Sequence, residues 1–386
     1  MKSINKAFKY RIYPTKPQIA YIEKMFAGCR VVYNCLLYDT MKEREENPEV
    51  KQKLSAFAFS YKVKQLKQQD DKKWLYECDS KALIFEAHNL ADSFKKFFWS
   101  LKNRPQDAGR PRFKHKDMDT QSFRTYQDIA FSNGLLKIPK LKNTIKVVEH
   151  REFQGELKQV AISRKNGKYY CSLLSQMEID DIEAPVKKTV GMDFGVSDFA
   201  TTTDGMVIKN PAFLLESSKY LAKLQQKKAR AVKGSNNYKK IKHKIACLHE
   251  KVARKRKQFH YETIRDLLSE YDKIYIQNLS TKKMTKKKDD NFEGFAKNKL
   301  NRKVLDAAPA SFHTKLLYKA DWEGKQVEKI EKHEATTATC NKCGAVTSRP
   351  QIKKKKWACS GCGVKLHRDA NASKNILKAG SKNAGV

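Results

Sequence analysis

No stretch of this 386-residue chain approaches the ~18 consecutive apolar residues that a bilayer crossing needs. Its start, MKSINKAFKYRIYP, has no apolar core of the kind a signal peptide carries. Lipidation motifs and an amphipathic anchor helix are missing as well, so the expectation is an intracellular protein with no membrane partner. Negative charge is in short supply: 42 Asp and Glu stand against 80 Lys and Arg, leaving a formal charge of +38. That excess is far beyond what solubility requires and repels itself unless a polyanion is present, which makes nucleic acid the expected partner. With 40% apolar residues, the chain still has material for two or three folded domains.

The hydrophobic period changes along the chain. Phe8, Tyr10 and Ile12 alternate with Lys9 and Arg11, which predicts a half-buried strand over 6–13 ended by Pro14. Thr15 with Gln18 is a candidate capping box, and helical spacing then persists to about residue 108. The basic segment DAGRPRFKHKD (107–117) breaks that pattern and offers Arg110, Arg112 and Lys114 to a phosphate backbone. Residues 120–180 read as strands, with a hairpin turn at Asn166-Gly167. Together with the first strand they predict a small β-barrel interrupted by a helical insertion. A second composition begins at TVGMDFG (189–195), followed by a hairpin turned at Asp204-Gly205 and a helical pair over 217–268 turning at 233–237. Tyr238, Ile241, Ile245, Leu248 and Val252 mark its seam. A strand over 271–277, a lysine-rich loop (282–303), one helix over 304–322 and a strand near 325–331 complete the expectation.

Two constellations carry chemistry. Of nine cysteines, Cys29, Cys35, Cys78, Cys171 and Cys247 are scattered among apolar neighbours and read as ordinary thiols. The other four, Cys340-x2-Cys343 and Cys359-x2-Cys362, have the spacing of a four-thiolate zinc ribbon. An iron–sulfur cluster or unliganded core cysteines are the alternatives. Gly363 and the lysines Lys353, Lys354, Lys355 and Lys356 favour structural zinc on a nucleic-acid-contacting ribbon. The second constellation is Asp193, at the end of an apolar strand, and Asp369, which opens HRDANASKNI. Each alone is weak, since an Asp before a helix is more often a cap. Together they lack a third member: phosphodiester hydrolysis with two Mg²⁺ requires several carboxylates, and the strand that would supply the next one ends in Gln277.

In their order along the chain, FKYRIYPTKPQ, CRVVYNCLL, GRPRFKHKD, QSFR, GMDFGVSDFATTTDG, YDKIYIQNLS, CNKCG, CSGCG and HRDANASKNI resemble the TnpB family, transposon-encoded relatives of the type V CRISPR effectors. The resemblance runs nearly end to end. It implies an α+β multidomain fold: a wedge β-barrel (1–15 and 109–185) with an inserted helical recognition lobe (16–108). An RNase H-like α/β RuvC domain (186–331) would follow, carrying a helical insertion at 212–268. A zinc ribbon (332–366) and a C-terminal RuvC motif with its tail (367–386) would end the chain. The resemblance also implies a guide RNA of the omega or right-end type, a double-stranded DNA target with a short adjacent motif, a prokaryotic cytosol or nucleoid setting, and DNA cutting by Asp, Glu and Asp. By motif, Asp193 is the first acid and Asp369 the third, while Gln277 stands where the family has its Glu. The motif-reading surface would include residues 54–66, Ser122, Phe123 and Arg124. Tyr33 and Asn34 read as core residues.

This chain departs from the family pattern at Gln277-Asn278, and at HEATTAT (333–339), where the family carries a basic residue. An amide offers one neutral carbonyl oxygen in place of a bidentate anion, so the hold on a second cation weakens sharply. The expectation is a nuclease-dead, RNA-guided DNA-binding protein that represses transcription by occupancy, with Zn²⁺ structural and Mg²⁺ used only if the site is active. The alternatives are an active Mg²⁺-dependent endonuclease, with Glu334 as a candidate replacement ligand, and a non-programmable RNA-binding or transposition accessory protein.

Overall fold

A computed structural model describes the chain except residues 51–52, 117–119, 182–184, 280–284, 286–291, 331–335, 349–354 and 384–386, and gives the backbone alone for 292–299 and 383. The chain divides into two compact units, Met1–Ile179 and Asp180–Val386. None of its helices, among the described residues, is long and apolar enough to cross a membrane.

The first unit opens with β1 (Lys2–Ile12), whose inward residues Phe8, Tyr10 and Ile12 are buried as the alternation predicts. Helix α1 (Lys16–Glu46) follows, and the Thr15 N–H donates to Gln18 Oε1 at 2.9 Å, one half of the expected capping box. The same Gln18 amide donates to the Thr144 carbonyl at 3.0 Å and so ties the helix start to the sheet. Helices α2 (Ala56–Gln68) and α3 (Ser80–Asn103), with a 3₁₀ segment at Asp70–Glu77 between them, complete the insertion. Strands β2 (Thr120–Thr125), β3 (Ala130–Ser132), β4 (Leu135–Lys137), β5 (Ile145–Val148), β6 (Glu156–Lys165) and β7 (Lys168–Ile179) then join β1 in one sheet of order β2-β6-β7-β1-β5-β4-β3. The β6–β7 hairpin turns at Asn166 and Gly167, both with positive φ, as a two-residue turn of this composition requires.

The sheet is open, which corrects the expected barrel: its outermost strands β2 and β3 do not pair. The helices explain why. Ile22, Met25, Phe26, Val32 and Leu36 of α1 share one core with Phe123, Ile162 and Leu173 of the sheet, and Phe26 meets Phe123 edge-on at 5.9 Å. The apolar face is covered by helices instead of by the sheet curling onto itself.

In the second unit, β8 (Thr189–Phe194), β9 (Asp198–Thr202), β10 (Val207–Lys209), β11 (Lys273–Gln277) and β12 (Gln326–Ile330) form a sheet of order β10-β9-β8-β11-β12. Strands β8, β11 and β12 run parallel, while β9 and β10 are antiparallel. After a short helix α4 (Phe213–Glu216), α5 (Ser218–Arg230) and α6 (Asn236–Glu270) make the expected hairpin, turning slightly earlier than predicted because Ser235 caps α6 through the Tyr238 N–H. The helix expected over 304–322 is two, α7 (Phe292–Ala307) and α8 (Pro309–Trp322). Pro309 supplies no N–H and disfavours helical backbone before it, and Ala308 takes φ 48° at the break. Strands β13 (Lys356–Ala358) and β14 (Lys365–His367) form a small hairpin that runs straight into α9 (Arg368–Asn383).

The parallel sheet is buried on both faces, as its apolar strands demand. Val190, Met192, Ile274 and Ile276 point to one face, against Ile264 and Leu267 of α6 and Phe312 and Leu316 of α8. Tyr275 and Ile330 point to the other, against Ile376 and Ala379 of α9.

Candidate functional site

Strand alternation decides where the acids stand. On β8, Asp193 follows Met192 and takes the α9 face, and on β11, Gln277 follows Ile276 and takes the same face. Ile276 is registered with Met192, so Asp193 and Gln277 stand level at the carboxyl ends of adjacent parallel strands. That edge is where open α/β sheets bind ligands.

Helix α9 brings the other acid to this edge because two glycines let it approach. A Cβ on Gly191 would lie 2.4 Å from the Ser373 carbonyl oxygen, and one on Gly380 would lie 2.1 Å from the Tyr275 ring. Asp369, in the first turn of α9, is buried and accepts from Arg368 Nε at 2.8 Å. Burial, and then the charge of Asp369, push the Asp193 carboxyl up to about 7 against the opposing pull of Arg368. Two carboxyls that disturb each other in this way are a pair whose repulsion a divalent cation would relieve. Gln277 brings only neutral groups to it. Among the described residues, the one cluster of three or more metal-capable side chains is the four cysteines, so no third acid joins the pair there. Glu334 lies outside the described residues.

The cysteines come from two matching turns. Gly344 N donates to the Cys340 carbonyl and Gly363 N to that of Cys359, both at 2.9 Å, and both glycines have positive φ. The sulfur of Cys340 lies 3.8 Å from that of Cys362, that of Cys343 lies 3.5 Å from that of Cys359, and all four fall within 4.8 Å of one another. Tetrahedral zinc with Zn–S bonds of about 2.3 Å requires sulfurs about 3.8 Å apart, so the donor set fits that ion. Amide N–H groups of Cys362 and Gly361 pull the Cys359 thiol down, whereas the Cys343 thiol hydrogen-bonded to it is pushed up, so the two share a proton that a bound metal would displace. The remaining five cysteines are free thiols, three buried, with Cys35 and Cys247 partly exposed.

Residues that sequence reasoning missed tie this cluster to α9. Asn371 Nδ2 donates to the Thr339 carbonyl at 2.8 Å, and its Oδ1 accepts from Asn341 N at 2.9 Å. One turn on, Asn375 Nδ2 lies 2.7 Å from both the Thr336 and Thr339 carbonyls. Lys355 leads into β13 and donates to Asp198 at 2.8 Å, an acid that also takes Lys209. The signal was present in N-x-x-x-N, an i, i+4 pair on one helix face, but amides in a helix announce no partner.

Of the expected nucleic-acid contacts, Arg110, Arg112, Ser122 and Lys356 are exposed. Phe123 is not: alternation turns it inward, and it is 1% exposed in the core, a correction to its expected surface role. Lys114 is paired with the buried Glu86 and lies over the Tyr33 ring, and Asn34 exchanges two hydrogen bonds with its backbone at 2.8 and 2.9 Å. Arg124 donates to Asn89 and covers Phe85. Lys355 is held by Asp198, and Lys353 and Lys354 lie outside the described residues, as does 333–335 of the divergent segment.

Comparison with known proteins follows the same order along the chain. A family model described as a probable transposase, OrfB_IS605, matches residues 173–288, and a Cas12f1-like TNB domain model matches 310–376. A Streptomyces pristinaespiralis protein provisionally named RNA-guided DNA endonuclease is 28% identical over 383 residues, covering 98% of this chain and 90% of its own. The Escherichia coli K12 protein provisionally named RNA-guided DNA endonuclease InsQ is 28% identical over 382 residues, covering 97% and 92%. The chain is TnpB-like. Its fold resembles that of the protein in a cryo-EM Cas12f1–sgRNA–target DNA complex, with a TM-score of 0.57 at 12% identity over 97% of this chain and 99% of that one. A model described as a helix-turn-helix domain also matches residues 1–49 of the TnpB-like chain, yet these form one strand and a single uninterrupted 31-residue helix.

Proposed function

We propose that this protein binds double-stranded DNA under the direction of a bound guide RNA and holds its target without cutting it, repressing transcription by occupancy. Full-length similarity to proteins named RNA-guided DNA endonucleases supports the guided binding, as does the +38 charge. One observation carries the loss of cutting: Gln277 stands level with Asp193, on the face that α9 covers, where a third carboxylate would complete the site. Two aspartates and an amide hold one cation better than two, and in-line phosphodiester hydrolysis of this class uses two. The first unit is assigned as wedge and helical recognition lobe, the second as a RuvC-like domain with a structural zinc ribbon. Arg110, Arg112, Ser122 and Lys356 are the contacts best placed for the nucleic acid.

A second reading is an active endonuclease. The names of the relatives favour it, and so does the survival of the Asp193–Asp369 pair. The two separate in one reaction: the complex with its co-purified RNA is given matched DNA and Mg²⁺, and binding and cutting are scored together. Guide-dependent binding to intact DNA, with cutting gained in Gln277→Glu, is the expected result. Cutting by the unmodified chain that Asp193→Ala abolishes would establish the second reading.

A further inference from the structure

We infer that Asn371 and Asn375 are positioning residues that couple the metal at the four cysteines to the placement of Asp369, so that loss of the thiolate-bound metal unlocks the acid centre. The inference rests on the assignment of Asp369 to that centre. It is carried by hydrogen bonds that share one strap of chain. The two asparagines project from consecutive turns of α9, and between them they engage the carbonyls of Thr336 and Thr339 and the N–H of Asn341. That strap leads into Cys340 and Cys343. A second tie comes from the other knuckle's strand, where Arg368 N donates to the Lys355 carbonyl at 2.8 Å and Lys355 Nζ reaches Asp198. The first turn of α9 is therefore fastened to both arms of the cysteine ribbon, and Asp369 lies inside that turn.

The chemistry makes the fastening conditional. Cys340, Trp357 and Cys359 form a core of three buried side chains, too small to hold the ribbon without a metal cross-link. With the metal gone, the strap is free to leave, and the amides of Asn371 and Asn375 lose partners in a buried site where unmet donors are costly. The later turns of α9 are held independently of the ribbon, on Gly191 of β8 through Ser373 and on Tyr275 and Ile330 through Ile376 and Ala379. Linkage then demands that metal binding at the ribbon stabilises the acid-bearing turn, and the reverse.

Hydrogen exchange on the full chain with its co-purified RNA tests this without depending on whether DNA is cut. Zinc content is measured before and after chelation, and exchange is followed in peptides covering 368–376, with β8 and β11 as internal references. Chelation should speed exchange at 368–376 by roughly tenfold or more while β8 and β11 stay protected, within the range usual for coupled sites. In the Asn371→Ala/Asn375→Ala variant, exchange there should already be fast with zinc bound and should not respond to chelation. Chelation that loosens only the ribbon peptides and leaves 368–376 protected would overturn the coupling. So would a double variant that keeps both the protection and its zinc response. If the double variant does not fold, the chelation of the unmodified chain decides alone. Failure of the proposed function would show separately, as absent guide-dependent DNA binding.

Discussion

At the scale of single residues, the acid centre is costly to keep. Asp193 is pushed up to about 7 by burial and by Asp369, whereas an Asp in the unfolded chain titrates near 3.9. Folding therefore takes up a proton between those values. The resulting contribution to stability is fully present below about pH 4 and is lost as pH rises to about 7. Asn mimics the protonated form at all pH, so Asp193→Asn should match the unmodified metal-free chain near pH 4 and exceed it increasingly up to about pH 7, with a plateau above. Thermal unfolding across that range, without divalent cations, measures it, and a pH-independent difference would refute the buried-pair account. Such a cost is typical of functional residues held in place against stability. The residues legible in sequence were those whose chemistry has a fixed spacing: the four cysteines, and Asp193 at the end of an apolar strand. Asn371, Asn375 and the Asn34 clasp on Lys114 were not, because an amide's partner is set by tertiary contact. Phe123 was misjudged because a motif reading ignored the period of 2 that sends it inward.

At the scale of elements, the crossing of α9 over β8 and β11 delivers Asp369, and Gly191 and Gly380 set how closely it passes. Replacing a helical glycine by alanine normally gains about 1 kcal/mol from propensity. At Gly380 the new methyl would lie 2.1 Å from the ring of Tyr275, which is itself 2% exposed and has nowhere to go. Overpacking costs about 1–3 kcal/mol, so it should outweigh the gain, and Gly380→Ala should lower the denaturation midpoint of the second unit. Gly109→Ala in the first unit, with nothing within 4 Å of its Cβ, should leave that unit's own midpoint unchanged or slightly raised. Equal effects would mean that the close approach does not matter. Local signals made the strands and hairpins of both sheets legible, as at Asn166-Gly167 and Asp204-Gly205. Closure of the first sheet was not, because it depends on what covers the apolar face, and α1 does so from an insertion of its own.

At the scale of the whole molecule, the proposed function gives the +38 charge and a bound guide different work, and salt separates them. Each phosphate neutralised by Lys or Arg releases counterions, so six to ten contacts weaken binding by roughly 10³–10⁵ between 50 and 200 mM salt, whatever the sequence. Base pairing with a guide replaces one duplex by another of similar stability, and discrimination there comes from mismatches, which charge screening barely alters. Affinity for matched and unmatched DNA should therefore both fall steeply with KCl, while their ratio stays large or grows. Titrations of the RNA-loaded protein with both DNAs at several KCl concentrations read slope and ratio together. A basic protein without a programmable target would give the same steep slope with a ratio near one. That outcome would remove guided recognition and leave the charge as the whole of its affinity, whereas a maintained ratio requires that a sequence carried by the RNA, and not by the lysines, selects the DNA.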